Sequence, residues 1–436
     1  MTNLPNDRMR PRTGTRRPGR LLALAALPAA LVLASCGGGG SSSAGGAPGA
    51  TAPAATDAQC GQVPVVAPND PDGLIATMPD DIQAAFNGWP TAVQASAWAD
   101  AGGTDGPVTV GWLQQDSGSP TAAALKTTLT QLSADAIDAG EVAEFLVETP
   151  GGTGGQVTAA DQVRAYEQLV RKGADVIIAQ PLSGEALVAA VNSAGEQGIP
   201  TVTFTGYVDS PYSIDITPNP FDGVAQAVAK GVGMIGGEGS AMIVQGIEGM
   251  TVNTSSVTAA EQTFALCEGI EVVGTPAGNF NDPGAKSAVV SFLASHPGEI
   301  DIVYQVASMG AGVFAGFADA GRAPMPLVVD NLPTAASLAW WEQLRADGYD
   351  GLAVPGTAAQ FGQTMWEVAM RTVRGEGPKV NQIALQVQFV TDDNLDQYLV
   401  DGATTTTNAE TATVGSLAPT EYLDGYFTNP GAYDPR

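Results

Sequence analysis

The side chains best suited to binding a ligand are polar groups that lie at or near the ends of short aliphatic runs. They carry amides, hydroxyls and carboxylates, and they are Gln114, Asp116, Ser119, Gln180, Thr205, Tyr207, Asn253, Gln305, Asp330 and Asn331. No lysine or arginine stands at these ends, so an anionic ligand is disfavoured unless helix N-termini alone hold it. These groups predict a site for a small polar ligand, either a neutral polyol or a cation.

Most catalytic and cofactor patterns fail in this sequence. His296 is the only histidine, which removes most catalytic triads and histidine-based metal sites. One pattern stays open: Gly310, Gly312 and Ala315 follow a predicted strand and open a predicted helix, with Asp330 twenty residues after Gly310. That is the arrangement of a nucleotide-binding βαβ unit, so a nucleotide-binding protein or enzyme is a lesser alternative. The leading prediction is a binding protein with no catalytic residues, cofactor or metal.

From residue 107 onward, short aliphatic runs alternate with amphipathic stretches. Strands are predicted at 108–113, 144–147, 175–179, 201–204, 241–244, 270–273, 302–306, 327–329 and 352–354. Helices are predicted at 121–139, 159–172, 185–197, 221–235, 259–266, 284–295, 311–320, 335–347 and 361–374. Buried strands linked by helices form right-handed parallel crossovers. The fold class is therefore α/β, with enough units for two open Rossmann-like sheets.

Length and charge narrow the class further. A chain of 436 residues is too long for one compact core, which predicts two lobes. Its 18 basic and 45 acidic residues give a net charge of -27. The sequence therefore predicts that the protein does not bind nucleic acid, because affinity for phosphate needs clustered basic side chains.

The first 36 residues have the features of an export signal. Six arginines between residues 8 and 20 precede an apolar run from 21 to 34, which is short for a bilayer span. The run ends in Leu33-Ala34-Ser35-Cys36, which resembles the lipobox of bacterial lipoproteins. That resemblance implies a signal peptide over 1–35, a diacylated (palmitate-bearing) Cys36 at the mature start, and a cell-membrane anchor. An ordinary secretory signal with a chance cysteine is the alternative, and the choice between Sec and twin-arginine export stays open.

After the lipobox, residues 36–59 are rich in Gly, Ser, Ala and Pro and are predicted to be a flexible leash. The only other cysteines are Cys60 and Cys267. In an oxidising compartment they could pair; alternatively, Cys267 is a small buried apolar residue.

A lipobox, a leash and two successive α/β halves resemble a type I periplasmic binding protein. The resemblance is closest to the sugar-binding subgroup that includes the ribose-binding proteins of ABC importers, and it runs from about residue 108 to 390. It rests on QLVRKGADVIIAQP at 168–181, AGEQGIPTVT at 194–203 and GFADAG at 316–321.

The resemblance implies two lobes with a ligand cleft between them, joined by crossings near 215–218, 355–357 and 386–390. Lobe 1 would comprise 107–216 plus 357–385, and lobe 2 would comprise 217–356 plus 386–402. A preamble at 60–106 and a tail at 403–436 fall outside the family pattern. Closure around ligand is a population shift, and the closed form would be recognised by an ABC permease.

Few of the family's ligand-binding positions are retained. The aspartate after the Val-Val strand is kept as Asp330, whereas Thr205-Gly206 replaces an Asp-Arg pair and Val306 replaces an asparagine. The resemblance therefore implies a monomeric solute-binding protein for a sugar or polyol other than ribose. A sensory module that presents ligand to a membrane receptor is the alternative.

Overall fold

The computed structural model describes residues 60–115, 120–151, 157–204 and 206–433. Within these ranges eleven strands pair in parallel to form two sheets. In chain order they are β1 (Val108–Leu113), β2 (Val142–Glu148), β3 (Val176–Ala179), β4 (Thr201–Phe204), β5 (Ser213–Pro218), β6 (Gly239–Val244), β7 (Ile270–Gly274), β8 (Ile302–Gln305), β9 (Leu327–Asn331), β10 (Leu352–Val354) and β11 (Gln382–Leu385). All nine strands predicted from the sequence are present, and the α/β class is confirmed.

Helices link the strands. Those in the described ranges are α1 (Asp80–Ala85), α2 (Pro120–Asp138), α3 (Ala159–Arg171), α4 (Gly184–Gly195), α5 (Asp222–Met234), α6 (Thr251–Phe264), α7 (Asp282–Ser295), α8 (Gly310–Asp319), α9 (Ala335–Arg345), α10 (Ala358–Val373), α11 (Leu395–Tyr398) and α12 (Thr420–Asp424). Several begin at a capping side chain, as Thr158 does before α3 and Thr357 does before α10. In these ranges we find no helix with the length and apolar character needed to cross a bilayer.

The two sheets share one winding pattern. The six-stranded sheet has the order β2-β1-β3-β4-β5-β11, and the five-stranded sheet has the order β7-β6-β8-β9-β10. In each sheet the chain starts on an inner strand, moves to one edge, and returns on the other side of the starting strand. This reversal creates a switch point between β1 and β3 and another between β6 and β8. Ligands of open α/β sheets bind outside the carboxyl ends of the strands at such points.

Two strands, β5 and β11, were not predicted. β5 buries Ser213 and Asp215, and the Thr203 hydroxyl donates to Asp215 Oδ1 at 2.9 Å. These buried polar side chains interrupt the aliphatic pattern on which strand prediction depends. The sequence places the first crossing near 215–218, but those residues form the second half of β5, and the chain leaves this sheet only after Pro218.

The preamble packs against the cores of both sheets. Ile82, Phe86 and Trp89 belong to the core of the six-stranded sheet, whereas Cys60 packs against the core of the five-stranded sheet. Cys60 forms a disulfide with Cys267, which follows α6. The structure thus agrees with the prediction that Cys60 and Cys267 pair. The bounds of the lobes, the leash and the tail stay predictions.

The C-terminal tail is held to α10 by a buried cation. Arg371 is 3% exposed and forms ion pairs with Glu376 and, at 2.6 Å, with Asp424 of α12. Its guanidinium also lies 4.2 Å from the centre of the Phe427 ring. These contacts fix the tail beyond residue 420 against α10.

Candidate ligand-binding site

An open pocket lies at the carboxyl edge of the six-stranded sheet, called the first edge below. Its cavity volume is about 110 Å³, which is smaller than the range of about 300–1,000 Å³ typical of small-molecule sites. The described residues that line it are Gln115, Thr121, Ala122, Leu125, Gln180, Phe204, Ala358 and Phe361. None of these lining residues carries a charged side chain.

The polar groups of the pocket come from strand ends and helix starts. Gln115 follows β1 and Gln180 follows β3, so both amides lie at the switch point. Thr121 lies in the first turn of α2, and Ala358 is the first residue of α10. Glutamine amides both donate and accept, whereas the Ala358 N–H at the start of α10 already donates to the Glu410 carboxylate. The pocket thus offers donors and acceptors without a full charge.

Two aromatic rings form the apolar part of the pocket. The ring centres of Phe204 and Phe361 lie 4.5 Å apart with an interplanar angle of 36°. Leu125 lies beside them in the same core cluster. An apolar face next to amides and helix N-termini matches a ligand that carries both C–H surface and hydroxyls.

The loop that carries Gln180 is clamped from α3. The Gln162 amide nitrogen donates to the Gln180 carbonyl at 2.7 Å, and its amide oxygen accepts from Leu182 N at 2.7 Å. Gln162 is almost fully buried. Gln162 was not predicted as a site residue, because a glutamine in a helical pattern gives no sign that its side chain will reach a neighbouring strand end.

At the carboxyl edge of the five-stranded sheet, called the second edge, the polar side chains are buried. Asp330 is 3% exposed, and the Gln305 amide donates to its Oδ1 at 2.5 Å. The same amide donates to the Asn331 carbonyl at 2.7 Å. Burial raises the pKa of Asp330 to about 7, and the hydrogen bond from Gln305 acts in the opposite direction. Oδ2 of Asp330 has no hydrogen-bond partner within the described ranges, and the Ser337 hydroxyl donates to the Thr334 carbonyl instead.

Close packing accounts for the glycines of α8. A Cβ atom at Gly310 would lie 2.3 Å from Oδ1 of Asp330, and one at Gly312 would lie 2.3 Å from the Asp282 carbonyl oxygen. Gly312 N donates to Asp282 Oδ1 at 2.8 Å. The spacing that the sequence shares with a nucleotide-binding unit is therefore explained by side chains and backbone that approach α8 directly.

Two other predicted residues hold loops at the second edge. Asn331 donates from its amide to the Val306 carbonyl at 2.5 Å. Asn253 accepts from Gly246 N at 2.6 Å and donates weakly to Gln245 Oε1 at 3.4 Å. Both amides are therefore engaged with neighbouring loop and strand-end groups.

Backbone strain concentrates at this second edge. Among the residues that the structure describes, four that are not glycine adopt left-handed backbone angles, with φ between 52° and 58°, and they are Asn279, Phe280, Ser308 and Leu332. All four lie in loops that follow strands of the five-stranded sheet. Strained residues of this kind persist where the surrounding structure fixes them, and they cluster at functional sites.

The remaining predicted residues fall elsewhere. Gln114 is buried, and its neighbour Gln115 lines the pocket instead. The Tyr207 hydroxyl donates to the carbonyl of Ala92 in the preamble at 3.0 Å, and burial raises its pKa to about 12; the structure does not bring it to the pocket. Asp116, Ser119, Thr205 and the lipobox Cys36 lie outside the described residues.

Two parallel α/β sheets of this topology define a type I periplasmic binding protein fold. A family profile described as periplasmic binding protein domain matches residues 130–377. Because that match covers more than half of the chain, the chain belongs to this family. A xylitol-binding protein of Mycolicibacterium smegmatis is 24% identical over 238 residues, which is 54% of this chain and 66% of that protein. The match thus spans slightly less than two thirds of that relative.

Solved structures agree on the fold. An ABC transporter solute-binding protein from Thermobispora bispora has a TM-score of 0.56 and 20% identity, covering 71% of this chain and 92% of its own. One from Bacillus halodurans, with bound myo-inositol, has a TM-score of 0.54 and 19% identity over 67% and 98%. One from Actinobacillus succinogenes, with bound D-allose, has a TM-score of 0.54 and 17% identity over 67% and 100%.

Proposed function

We propose that this protein captures a small uncharged polyol or sugar between its two sheet edges and delivers it to an ABC permease. The observation that carries the proposal is the pocket at the first edge, with its amides, helix N-termini and paired phenylalanine rings but no charged lining side chain. Such a lining satisfies hydroxyls without the desolvation cost of an unpaired charge. The relatives described as binding xylitol, myo-inositol and D-allose support this ligand class.

Asp330 is proposed to contact the ligand from the second edge. Its Oδ2 is buried without a donor, and an unsatisfied buried acceptor costs about 1–3 kcal/mol. A ligand hydroxyl that donates to this oxygen would recover that cost. Contacts to both edges would then favour the closed arrangement over the open one by the difference in ligand affinity.

Titration calorimetry of the purified protein tests the ligand class. We expect saturable one-to-one binding of at least one of xylitol, myo-inositol and D-allose, and weaker binding of ribose, because the family's pentose-binding residues are mostly replaced. Silence with all three compounds, or tighter binding of spermidine than of any of them, would overturn the proposal. Micromolar ribose binding would overturn the exclusion of ribose.

The membrane location is a separate part of the proposal. We propose that Cys36 is lipidated and holds the folded domain outside the cytoplasm by the leash at 36–59. Mass spectrometry of the membrane fraction should find a diacylated N-terminal cysteine, and Cys36→Ser should release the protein from membranes. Equal membrane retention of the wild type and Cys36→Ser would contradict the anchor.

A further inference from the structure

The C-terminal tail contacts the second edge at residues 409 and 410, and the first edge beside the pocket at residues 410 and 414. Ala335 N, at the start of α9, donates to the Ala409 carbonyl at 3.0 Å, and Thr334 pairs with Glu410 in an isolated antiparallel bridge. A few residues later, the Gln360 amide of α10 donates to the Val414 carbonyl at 2.9 Å. This stretch lies beyond the family match, which ends at residue 377. The tail therefore brings side chains to the first edge, and these side chains are not part of the family pattern.

One of these side chains is the carboxylate of Glu410. Ala358 N donates to its two oxygens at 3.1 and 3.3 Å. Burial raises the pKa of Glu410, and the Ala358 N–H and the Thr121 hydroxyl act in the opposite direction. Ala358 and Thr121 both line the pocket, so the carboxylate lies at the rim of a pocket whose described lining carries no charge.

Glu410 accounts for one N–H at the start of α10, that of Ala358, and a carboxylate is stabilised at a helix N-terminus. The N-terminus of α10 already has a complete capping box, in which Thr357 accepts from Gln360 N and the Gln360 side chain accepts from Thr357 N. The described part of the chain contains no ion pair to Glu410 within 4.0 Å. The Ala358 N–H and the dipole of α10 offset part of the cost of burying this carboxylate, and further hydrogen-bond donors would offset more of it.

The Glu410 carboxylate can accept further hydrogen bonds. An ionised carboxylate has about four lone-pair positions, and the Ala358 N–H and Thr121 hydroxyl do not exhaust them. Ligand hydroxyls can fill the rest, because hydrogen bonds to an ionised acceptor are shorter and stronger than neutral ones. An anionic ligand would instead meet a like charge in a partly dehydrated place.

We propose that Glu410, delivered by the C-terminal tail, is a specificity-determining ligand contact that accepts hydrogen bonds from vicinal hydroxyls and rejects acidic analogues. This inference rests on the proposed function and deepens it: the pocket would select uncharged polyols over sugar acids. It also assigns a role to the tail, since the site would be complete only with the tail in place.

The test compares Glu410→Gln with the wild type by calorimetry, using xylitol, myo-inositol, D-allose and the acid D-xylonate. We expect Glu410→Gln to weaken the best-binding uncharged compound by about 10-fold, the value of one charge-assisted hydrogen bond. The preference for that compound over D-xylonate should fall by a larger factor, because repulsion of the acid is also removed. Glu421→Gln, on the exposed start of α12, is the matched control and should leave all affinities unchanged.

The outcomes separate the two proposals. If the wild type binds none of the three uncharged compounds, the proposed function fails and this inference fails with it. If one binds and Glu410→Gln leaves its affinity and the discrimination unchanged, only this inference is overturned. A uniform loss for neutral and acidic ligands, together with a lower melting temperature, would show a purely structural role and also overturn it.

Discussion

The first and second edges share a topology but differ in what they expose. Both lie at a switch point of a parallel sheet. The first edge has an open pocket lined by amides, helix N-termini and two phenylalanine rings, whereas the second edge buries Gln305, Asp330 and Asn253 among strand ends and strained loops. Position at a switch point therefore selects candidate residues, but burial and existing hydrogen bonds decide which of them can meet a ligand without rearrangement.

The largest effect is expected from removing the Cys60–Cys267 disulfide on the side of the five-stranded sheet. This change tests whether the disulfide stabilises the fold without taking part in ligand binding. Replacing Cys60 and Cys267 together by serine removes a link across 207 residues, which frees conformational entropy in the unfolded chain. We expect a loss of about 4 kcal/mol in the free energy of unfolding, with ligand affinity unchanged. Denaturant unfolding and calorimetry measure the two quantities.

The single variants Cys60→Ser and Cys267→Ser are the controls for that prediction, since each also removes the link and should match the double variant. A loss below about 1 kcal/mol would mean that packing of the preamble, and not the disulfide, holds it to the second sheet. A large loss of affinity in the double variant would show that the disulfide also positions the ligand site.

Filling the open pocket should produce the next largest effect. Ala122 lines the pocket, whereas Ala123 is exposed on the next position of the same helix. Ala122→Trp would occupy most of the space that a ligand needs, and we expect affinity to fall at least about 100-fold, near 2.7 kcal/mol. Calorimetry with the best-binding polyol measures it, and Ala123→Trp should retain wild-type affinity.

Equal affinities for Ala122→Trp and Ala123→Trp would break the comparison, because ligand would then bind away from the first edge. Folding of both variants is checked by their melting temperatures. A tryptophan at the exposed position 123 should change stability little, since surface substitutions usually lie within about 0.5 kcal/mol of neutral.

Each sheet contains one buried aspartate that should make the stability of the protein depend on pH. Burial raises the pKa of Asp215 and of Asp330 to about 7 from the ordinary value of 3.8. The folded state therefore binds each proton more tightly than the unfolded chain, so each group lowers stability as pH rises from about 4 to about 7. Asp330→Asn and Asp215→Asn should each reduce this loss, by about 2 kcal/mol between pH 5 and 8, as followed by denaturant unfolding.

Ligand affinity distinguishes these two aspartates. If Oδ2 of Asp330 meets a ligand hydroxyl, Asp330→Asn should weaken binding by about 10-fold, while Asp215→Asn in β5 should not. Unchanged affinity in Asp330→Asn would reduce the second edge to a scaffold and leave recognition to the first edge alone.

The fold was predictable because its signal is local. Aliphatic runs such as Val176–Ala179 and helix starts such as Thr158 are determined by neighbouring residues, so their elements and the α/β class follow from the sequence. β5 was missed because its buried Asp215 is stabilised by a hydrogen bond from Thr203. Thr203 lies on another strand, so the residues next to Asp215 in the sequence do not reveal this partner.

The site was predictable only in part, for the same reason. Gln180 was found because it directly follows a strand, but Gln162 and Glu410 reach the first edge from a helix and from a tail far along the chain. The family resemblance singled out Asp330 by its position, and could not show that the carboxylate is packed under α8. Non-local packing thus determined both the missed residues and the accessibility of the predicted ones.

The smallest expected effect concerns a single amide of the pocket. Gln180→Ala removes a neutral side chain but leaves the Gln162 clamp on the backbone carbonyl intact, so the loop should keep its place. Loss of one neutral hydrogen bond predicts about 5-fold weaker binding, near 1 kcal/mol, with no change in unfolding. Gln197→Ala, on an exposed position after α4, is the matched control. A loss as large as that of Ala122→Trp would mean that Gln180 organises the first edge, while no loss would place the ligand nearer to Gln115 and the start of α10.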